Sequence, residues 1–292
     1  KSNSFVDDSL NPMSKVKVIH TAKELHQFRQ KLNENSQTLG FVPTMGALHN
    51  GHVSLIKKST EENDYTLISI FVNPKQFNNS EDLKQYPRTL DADLMLLEGL
   101  TNCVVFAPDE AELYPKNDGF IPMELGSIGR VLEGAFRPGH FEGVVHVVHN
   151  LFRLVEANQA YFGQKDFQQL AIIRLLTKHF GFQTRIIACP TVRESNGLAM
   201  SSRNMRLSEK ERQDALIIIE TLRLVEASKS KHSIQETLLT ARSLFEQGSL
   251  SLEYLSIVDP ETLNELTEWQ EKQICCIAAH CGSVRLIDNL LF

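Results

Sequence analysis

The chain has 292 residues, with 30 Lys and Arg against 36 Asp and Glu (formal net charge −6), 42% hydrophobic and 23% charged. This is the make-up of a soluble globular protein with one large or two smaller cores. It excludes whole-chain disorder, and no apolar run approaches the roughly 18 residues of a membrane span.

Residues 1–12 are polar and aperiodic and are expected to be a loose tail, with Met13 the expected native start. Val16 to Ile19 reads as a short strand, and Thr21-Ala22-Lys23-Glu24 as a capping box opening a helix to about Asn35. A buried strand over Leu39 to Pro43, a glycine turn and a helix near His52 to Asn63 follow. Tyr65 to Val72 is rich in β-branched residues and predicts a strand. Leu90 to Leu100 predicts a helix, and Cys103 to Phe106 a strand. Val144, Val148, Leu151 and Val155 form one stripe, which predicts an amphipathic helix over Gly143 to Glu156. Then come a strand (Gln159 to Phe162), a helix (Asp166 to Phe180) and a strand (Thr184 to Cys189).

This alternation predicts an α/β fold with a doubly wound, Rossmann-like parallel sheet over 13–189. In such sheets ligands sit beyond the carboxyl ends of the strands. After Pro190 the pattern changes to two helices, about Glu209 to Ser228 and Ile234 to Gln247. Strands at Leu252 to Val258, Gln273 to His280 and Val284 to Ile287 end the chain. A smaller α+β domain over 190–292 is expected.

The five cysteines, Cys103, Cys189, Cys275, Cys276 and Cys281, are odd in number and lack a C-x-x-C. They predict free thiols and a cytoplasmic location rather than a disulfide framework. Neighbouring strand residues face opposite ways, so Cys275 and Cys276 are expected to be buried strand residues, not shared metal ligands. The mild acidity argues against nucleic acid as a partner, and no membrane association is expected.

The chemistry-bearing segments fall at strand ends. Gly46 and Gly51 have the spacing of a Walker A loop, but His52 and Val53 replace its Lys and Ser or Thr. What remains is a pair of imidazoles, His49 and His52, on one face of a helix start, where they can donate to phosphoryl oxygens. The alternatives are a turn with incidental histidines, and a zinc site, which lacks a third ligand nearby. His146 and His149 share the spacing without glycines and read as helix-face residues.

Asn73 and Gln76, after the Tyr65 strand, offer neutral amides suited to hydroxyl and carboxylate recognition. Asp93, near a helix start with Asp91, is a candidate Mg²⁺ ligand, capping being the alternative. In Gly163-Gln164-Lys165-Asp166, a Lys at a helix start points to a facing anion, and Asp166 to ribose hydroxyls. Gln169 lies one turn on. Met200-Ser201-Ser202-Arg203 offers hydroxyls and a guanidinium as an anion clamp, or a simple hairpin turn.

Six segments in order carry a resemblance: PTMGALHNGH (43–52), SIFVNPKQF (69–77), YPRTLDAD (86–93), RPGHFEGV (137–144), YFGQKDFQQL (161–170) and RESNGLAMSSRN (193–204). They resemble the pantothenate synthetase (pantoate–β-alanine ligase) family from about Met13 to the C-terminus. His49-Asn50-Gly51-His52 is similar to the H-x-G-H signature of the wider nucleotidyltransferase superfamily.

The resemblance implies ATP-dependent condensation of (R)-pantoate with β-alanine through a pantoyl adenylate, releasing AMP and pyrophosphate, in a Mg²⁺-using homodimer. It implies that Met45, Gly46, Ala47, Leu48, His49, Asn50, Gly51 and His52 line the nucleotide, with His52 given an acid role. Gln76 and Gln169 would hold pantoate, with Gln76 also near β-alanine and Asn73 in the same substrate site; Gly163 and Asp166 would take the ribose, Lys165 phosphate, and Gln164 would belong to the nucleotide site. Val192 would meet adenine. Ser201, Ser202 and Arg203 would close over the phosphates from the second domain, acting as a lid, with Met200 also in the nucleotide site. Ala92 separates Asp91 from Asp93 where the family often has adjacent acids. Thr44 and Arg137 stand beside these motifs without an assigned contact.

The residues leave other functions open. Another H-x-G-H adenylyl- or cytidylyltransferase would act on a phosphate-ester acceptor and should carry a basic acceptor site. A tRNA synthetase would need an RNA-binding domain. A non-catalytic nucleotide-binding module would need the glycine turns but neither His52 nor Lys165.

Overall fold

The computed structural model describes residues 16–116, 118–229 and 231–292, so the expected tail and Met13 lie outside the described residues. Strands and helices alternate to Cys189: β1 (Lys17–Ile19), α1 (Ala22–Glu34), β2 (Leu39–Thr44), α2 (Asn50–Glu62), β3 (Tyr65–Ile70), α3 (Ser80–Gln85), α4 (Leu90–Leu97) and β4 (Cys103–Phe106). Then follow α5 (Glu110–Leu113), α6 (Glu133–Phe136), α7 (His140–Val155), β5 (Gln159–Gly163), α8 (Phe167–His179) and β6 (Arg185–Cys189). The capping box at Thr21 forms as its spacing predicts, with Glu24 returning to the cap backbone.

The six strands lie in the order β1-β4-β3-β2-β5-β6, and every pairing is parallel. The chain builds outward from β2 through β3 to β4, then returns to the other side of β2 with β5. That reversal leaves a crevice beyond the carboxyl ends of β2 and β5.

The alternation of β2 explains the layers. Leu39 and Phe41 pack with Leu25 of α1, Val148 of α7 and Ile172 of α8. Val42 faces the opposite way, toward Leu55 and Ile56 of α2 and Leu97 of α4. Helices therefore cover both faces, as buried parallel strands require. Gly143 lets α7 press against the 3-10 turn over Pro74–Gln76, because a Cβ there would stand 2.2 Å from the Lys75 carbonyl oxygen.

The rest of the chain contains α9 (Glu209–Asp214), α10 (Ile217–Ser228), α11 (Ile234–Phe245), β7 (Ser251–Val258), β8 (Ile274–Cys281) and β9 (Val284–Leu291). The three strands form an antiparallel sheet in the order β7-β8-β9. The single helix expected over Glu209 to Ser228 is two. At the join, Leu216 and Ile218 donate to the carbonyls of Gln213 and Ala215, tighter three-residue turns that interrupt the helix around buried Ala215.

All five cysteines are buried and free. Cys275 packs with Ile257 and Ile277, and Cys276 on the other face with Leu132 and Val258. No helix among the described residues is long and apolar enough to cross a membrane.

Candidate active site

The loop from β2 to α2 is held open by backbone conformation. Gly46 (φ +79°) and Ala47 (φ +50°) are both left-handed, a turn that directs successive N–H groups to one side. Those of Ala47 and Leu48 donate to the two oxygens of Asp93, at 3.0 and 2.8 Å. Thr89 Oγ1 donates to the same carboxylate at 3.2 Å, and Asp93 is 1% exposed. These bonds favour a structural role for Asp93 over the metal-ligand role expected of it. Its oxygens are taken by three donors inside the protein, and it braces the loop instead.

α2 begins two residues earlier than its periodicity predicts, because His49 is its N-cap. His49 Nδ1 accepts the N–H of Gly51 at 3.1 Å, and His52 Nδ1 accepts the N–H of His49 at 3.4 Å. This is a capping box built from two imidazoles. With each Nδ1 accepting, the proton of each neutral ring sits on Nε2. The rings lie 4.1 Å apart at a 36° tilt. Gly51 gives His49 its room, since a Cβ there would be 2.7 Å from the His49 ring.

Burial, followed by the positive charge of Lys165, lowers the pKa of His49 to about 4. Burial and the neighbouring His49, then Lys165, lower that of His52 to about 3. Both rings are neutral at pH 7, so they act there as hydrogen-bond donors. An ammonium and two neutral donors at a helix N-terminus make an environment that a polyanion stabilises.

A cavity of about 230 Å³ opens at this point. Met45, His49, Gly51 and His52 form one wall, and Asn73 and Gln76 another. Gly163, Lys165, Asp166 and Gln169 come from the end of β5 and the start of α8, and Val192, Met200, Ser201, Ser202 and Arg203 from the chain after β6. Asn73 Nδ2 donates to Gln76 Oε1 at 2.9 Å, and Gln76 Nε2 faces Met45 Sδ at 3.3 Å. Lys165 Nζ lies 3.7 Å from Asp166. Ser202 Oγ donates to the Ala47 carbonyl at 3.0 Å, and Arg203 pairs with Asp82 of α3 at 2.8 Å.

Five of the expected nucleotide residues are off the cavity wall. Gly46, Ala47 and Leu48 lie behind it in the braced loop, and Asn50 is exposed as the first residue of α2. The Gln164 carbonyl accepts from Asn289 of β9 at 3.0 Å. Thr44 and Arg137 both reach the wall. Sequence reasoning missed Tyr86 and His140 on the wall. The signal for His140 was the glycine at position 143, one turn further along α7, which sets that helix against the Pro74 turn. His140 Nδ1 donates to the Gln76 carbonyl at 2.7 Å, its pKa lowered to about 4 by burial and then Arg137. His146 is held by Asp118 at 2.6 Å and stacks on Phe120, while His149 is buried beside Asn150, both off the cavity.

Residues 17–291 match the family model described as Pantoate-beta-alanine ligase. A pantothenate synthetase of Bacteroides thetaiotaomicron is 46% identical over 284 residues, covering 95% of this chain and 99% of that one. One of Porphyromonas gingivalis is 42% identical over 280 residues, with 95% and 99% covered. Among solved structures, the enzyme from Thermus thermophilus superposes with a TM-score of 0.88 at 39% identity, covering 94% of this chain and 99% of that one. A pantoate-beta-alanine ligase from Francisella tularensis, complexed with beta-gamma ATP and beta-alanine, gives 0.79 at 38% identity, with 94% and 97% covered.

Proposed function

The chain belongs to the pantoate–β-alanine ligase family and condenses pantoate with β-alanine in an ATP-dependent reaction, and from that premise we propose how its own residues carry the two steps. The triphosphate lies against the N-terminus of α2, with the Nε2–H groups of His49 and His52 and the ammonium of Lys165 on its oxygens. Arg203 joins them by leaving Asp82. Gly163 and Asp166 face the ribose and Val192 the adenine. Gln76 and Gln169 hold pantoate, with Asn73 beside them.

The pantoate carboxylate attacks the α-phosphorus, the bond to the β-phosphate oxygen breaks, and pyrophosphate leaves. The donors stabilise charge as it spreads over the phosphoryl and leaving oxygens. The amine of β-alanine then attacks the acyl carbon of pantoyl adenylate, and AMP leaves as the amide forms. Positioning and charge stabilisation carry both steps, without a covalent enzyme intermediate. His52 begins as a neutral donor, and an acid role requires bound nucleotide to raise its pKa.

The donor set does not fit a resident metal. Among the described residues no group of three His, Cys, Asp or Glu side chains could hold one, and Asp93 is committed to the loop. We propose that Mg²⁺ arrives on the phosphate oxygens of the nucleotide. We further propose that residues 13–189 form the substrate-binding domain and 190–292 a lid, with Ser202–Ala47, Arg203–Asp82, Arg285–Glu133 and Asn289–Gln164 among the contacts between them. Homodimeric assembly, supported by the family resemblance, and a cytoplasmic location, supported by five free thiols, complete the reading.

The observation that carries the site assignment is that His49 and His52, each with Nδ1 accepting a backbone N–H, line one cavity with the amides of Asn73, Gln76 and Gln169. The Asn73, Gln76 and Gln169 amides suit the hydroxyls and single carboxylate of a small hydroxy acid better than the doubly charged group of a phosphate ester. A coupled assay of AMP formation, omitting ATP, pantoate and β-alanine in turn, tests it. AMP should require all three, and AMP formed without pantoate would overturn the proposed order of steps.

A further inference from the structure

We propose that Tyr114 is a positioning residue for this reaction: its hydroxyl fixes the amide orientation of Asn73, and through Asn73 the direction in which Gln76 presents a donor to pantoate. The proposal rests on the reading of Gln76 as a pantoate contact.

Tyr114 follows α5 and is not on the cavity wall. Its hydroxyl donates to Asn73 Oδ1 at 2.7 Å. Burial pushes the phenol above its ordinary value, so the proton is always present to be donated. The backbone N–H of Lys75 donates to the same Oδ1 at 3.2 Å. Two donors on Oδ1 prevent the Asn73 amide from turning over. Its Nδ2 is left facing two acceptors, the Gly143 carbonyl at 3.1 Å and Gln76 Oε1 at 2.9 Å.

The consequence passes on one residue. With its oxygen engaged, Gln76 has Nε2 free to face the cavity, where it meets only the weak thioether acceptor of Met45 at 3.3 Å. A carboxylate or hydroxyl oxygen replaces that sulfur readily. The opposite amide orientation would turn Oε1 toward a carboxylate and repel it. The Tyr114 ring is itself fixed. Lys75 Nζ sits 3.6 Å over its centroid, and the His146 ring meets it edge-on at 4.8 Å. Asp118 holds His146 in turn. Without the hydroxyl, Asn73 loses the shorter of the two bonds to Oδ1 and is oriented only by the longer bond from Lys75 and its own bond to the Gly143 carbonyl, so the preference of the two amides for this orientation weakens.

The test is a double-mutant cycle of Tyr114→Phe and Gln76→Ala, with KM for pantoate and for ATP measured separately. Tyr114→Phe is expected to raise the pantoate KM about five- to tenfold and leave the ATP KM within about twofold, the loss of one neutral hydrogen bond's worth of binding. In the Gln76→Ala background the same substitution should have no further effect, a dependence that a merely structural role would not produce. An unchanged pantoate KM in Tyr114→Phe, with a raised one in Gln76→Ala, overturns the role of Tyr114 and leaves the site reading standing. A Tyr114→Phe effect that persists in full in the double variant also overturns it. An unchanged pantoate KM in Gln76→Ala overturns the site reading itself. Should Tyr114→Phe fail to fold, Asn73→Asp removes the amide donor and must raise the pantoate KM selectively; if it does not, the proposal falls.

Discussion

His49 and His52 each turn Nδ1 to a backbone amide, which leaves Nε2–H as the donor of each neutral ring, and the two ring centroids lie 4.1 Å apart. The helix cap and the phosphate site are therefore one structure. Replacing His52 removes a donor aimed at developing charge while leaving the buried Leu55 and Ile56 of α2 in place. His52→Ala is expected to lower kcat by about 10² or more, with an unchanged circular dichroism spectrum. Near-normal turnover in a folded variant would remove His52 from the reacting centre.

The depressed pKa values of the same rings predict acid lability. A histidine near 6.5 when unfolded and at about 4 or about 3 when folded binds its proton preferentially in the unfolded state. Stability is therefore fully present above about pH 6.5 and is lost as pH falls toward the folded values. Between pH 7 and 5.5 each ring should cost roughly 1 kcal/mol of unfolding free energy, after allowance for partial exposure. Urea titrations of the wild type and His52→Asn measure it, and the variant should lose less. Histidine NMR should show Nε2-protonated rings at pH 7, and nucleotide should raise both titration midpoints.

Asp93 serves the same loop from behind. Asp93→Ala leaves the N–H groups of Ala47 and Leu48 without partners at a left-handed turn. The expected cost is about 1–3 kcal/mol of stability, with a fall in kcat as the loop loosens. The Mg²⁺ dependence of activity separates bracing from chelation. Asp93→Asn should retain the wild-type Mg²⁺ concentration for half-maximal rate, whereas a large shift would restore Asp93 as a metal ligand.

What the sequence made legible follows from how local each signal is. β3 and α7 carry their periods in their own residues and lie close to where their patterns place them. The start of α2 escapes its pattern because His does not ordinarily cap a helix. The break between α9 and α10 has no glycine or proline to mark it. β9 runs past Ile287 because Asp288 and Asn289, polar residues inside a strand, find partners far away, in Arg193 and in the carbonyls of Gln164 and Lys165. Asp93 is ambiguous in sequence for the same reason. An acid at a helix start looks alike whether it chelates, caps, or reaches back 45 residues to hold Leu48. Tyr114 carries no local pattern, and its relation to Asn73 exists only once β3 and α5 are folded together.

Gly51 separates helix propensity from site geometry. Alanine is favoured over glycine in a helix by about 1 kcal/mol, so local preference alone predicts that Gly51→Ala stabilises α2. The new Cβ would nevertheless stand 2.7 Å from Cε1 and 2.8 Å from Nδ1 of His49. The ring must swing away, breaking its bond to the Gly51 N–H and withdrawing its Nε2–H from the cavity. Loss of that cap costs about 1 kcal/mol, which nearly cancels the propensity gain. Thermal unfolding is thus expected to stay close to wild type while kcat falls roughly 10- to 100-fold, since a donor worth a few kcal/mol is displaced. Differential scanning calorimetry beside steady-state kinetics checks both halves. A variant of unchanged stability with kcat within twofold of wild type would mean that the His49 ring need not hold its place.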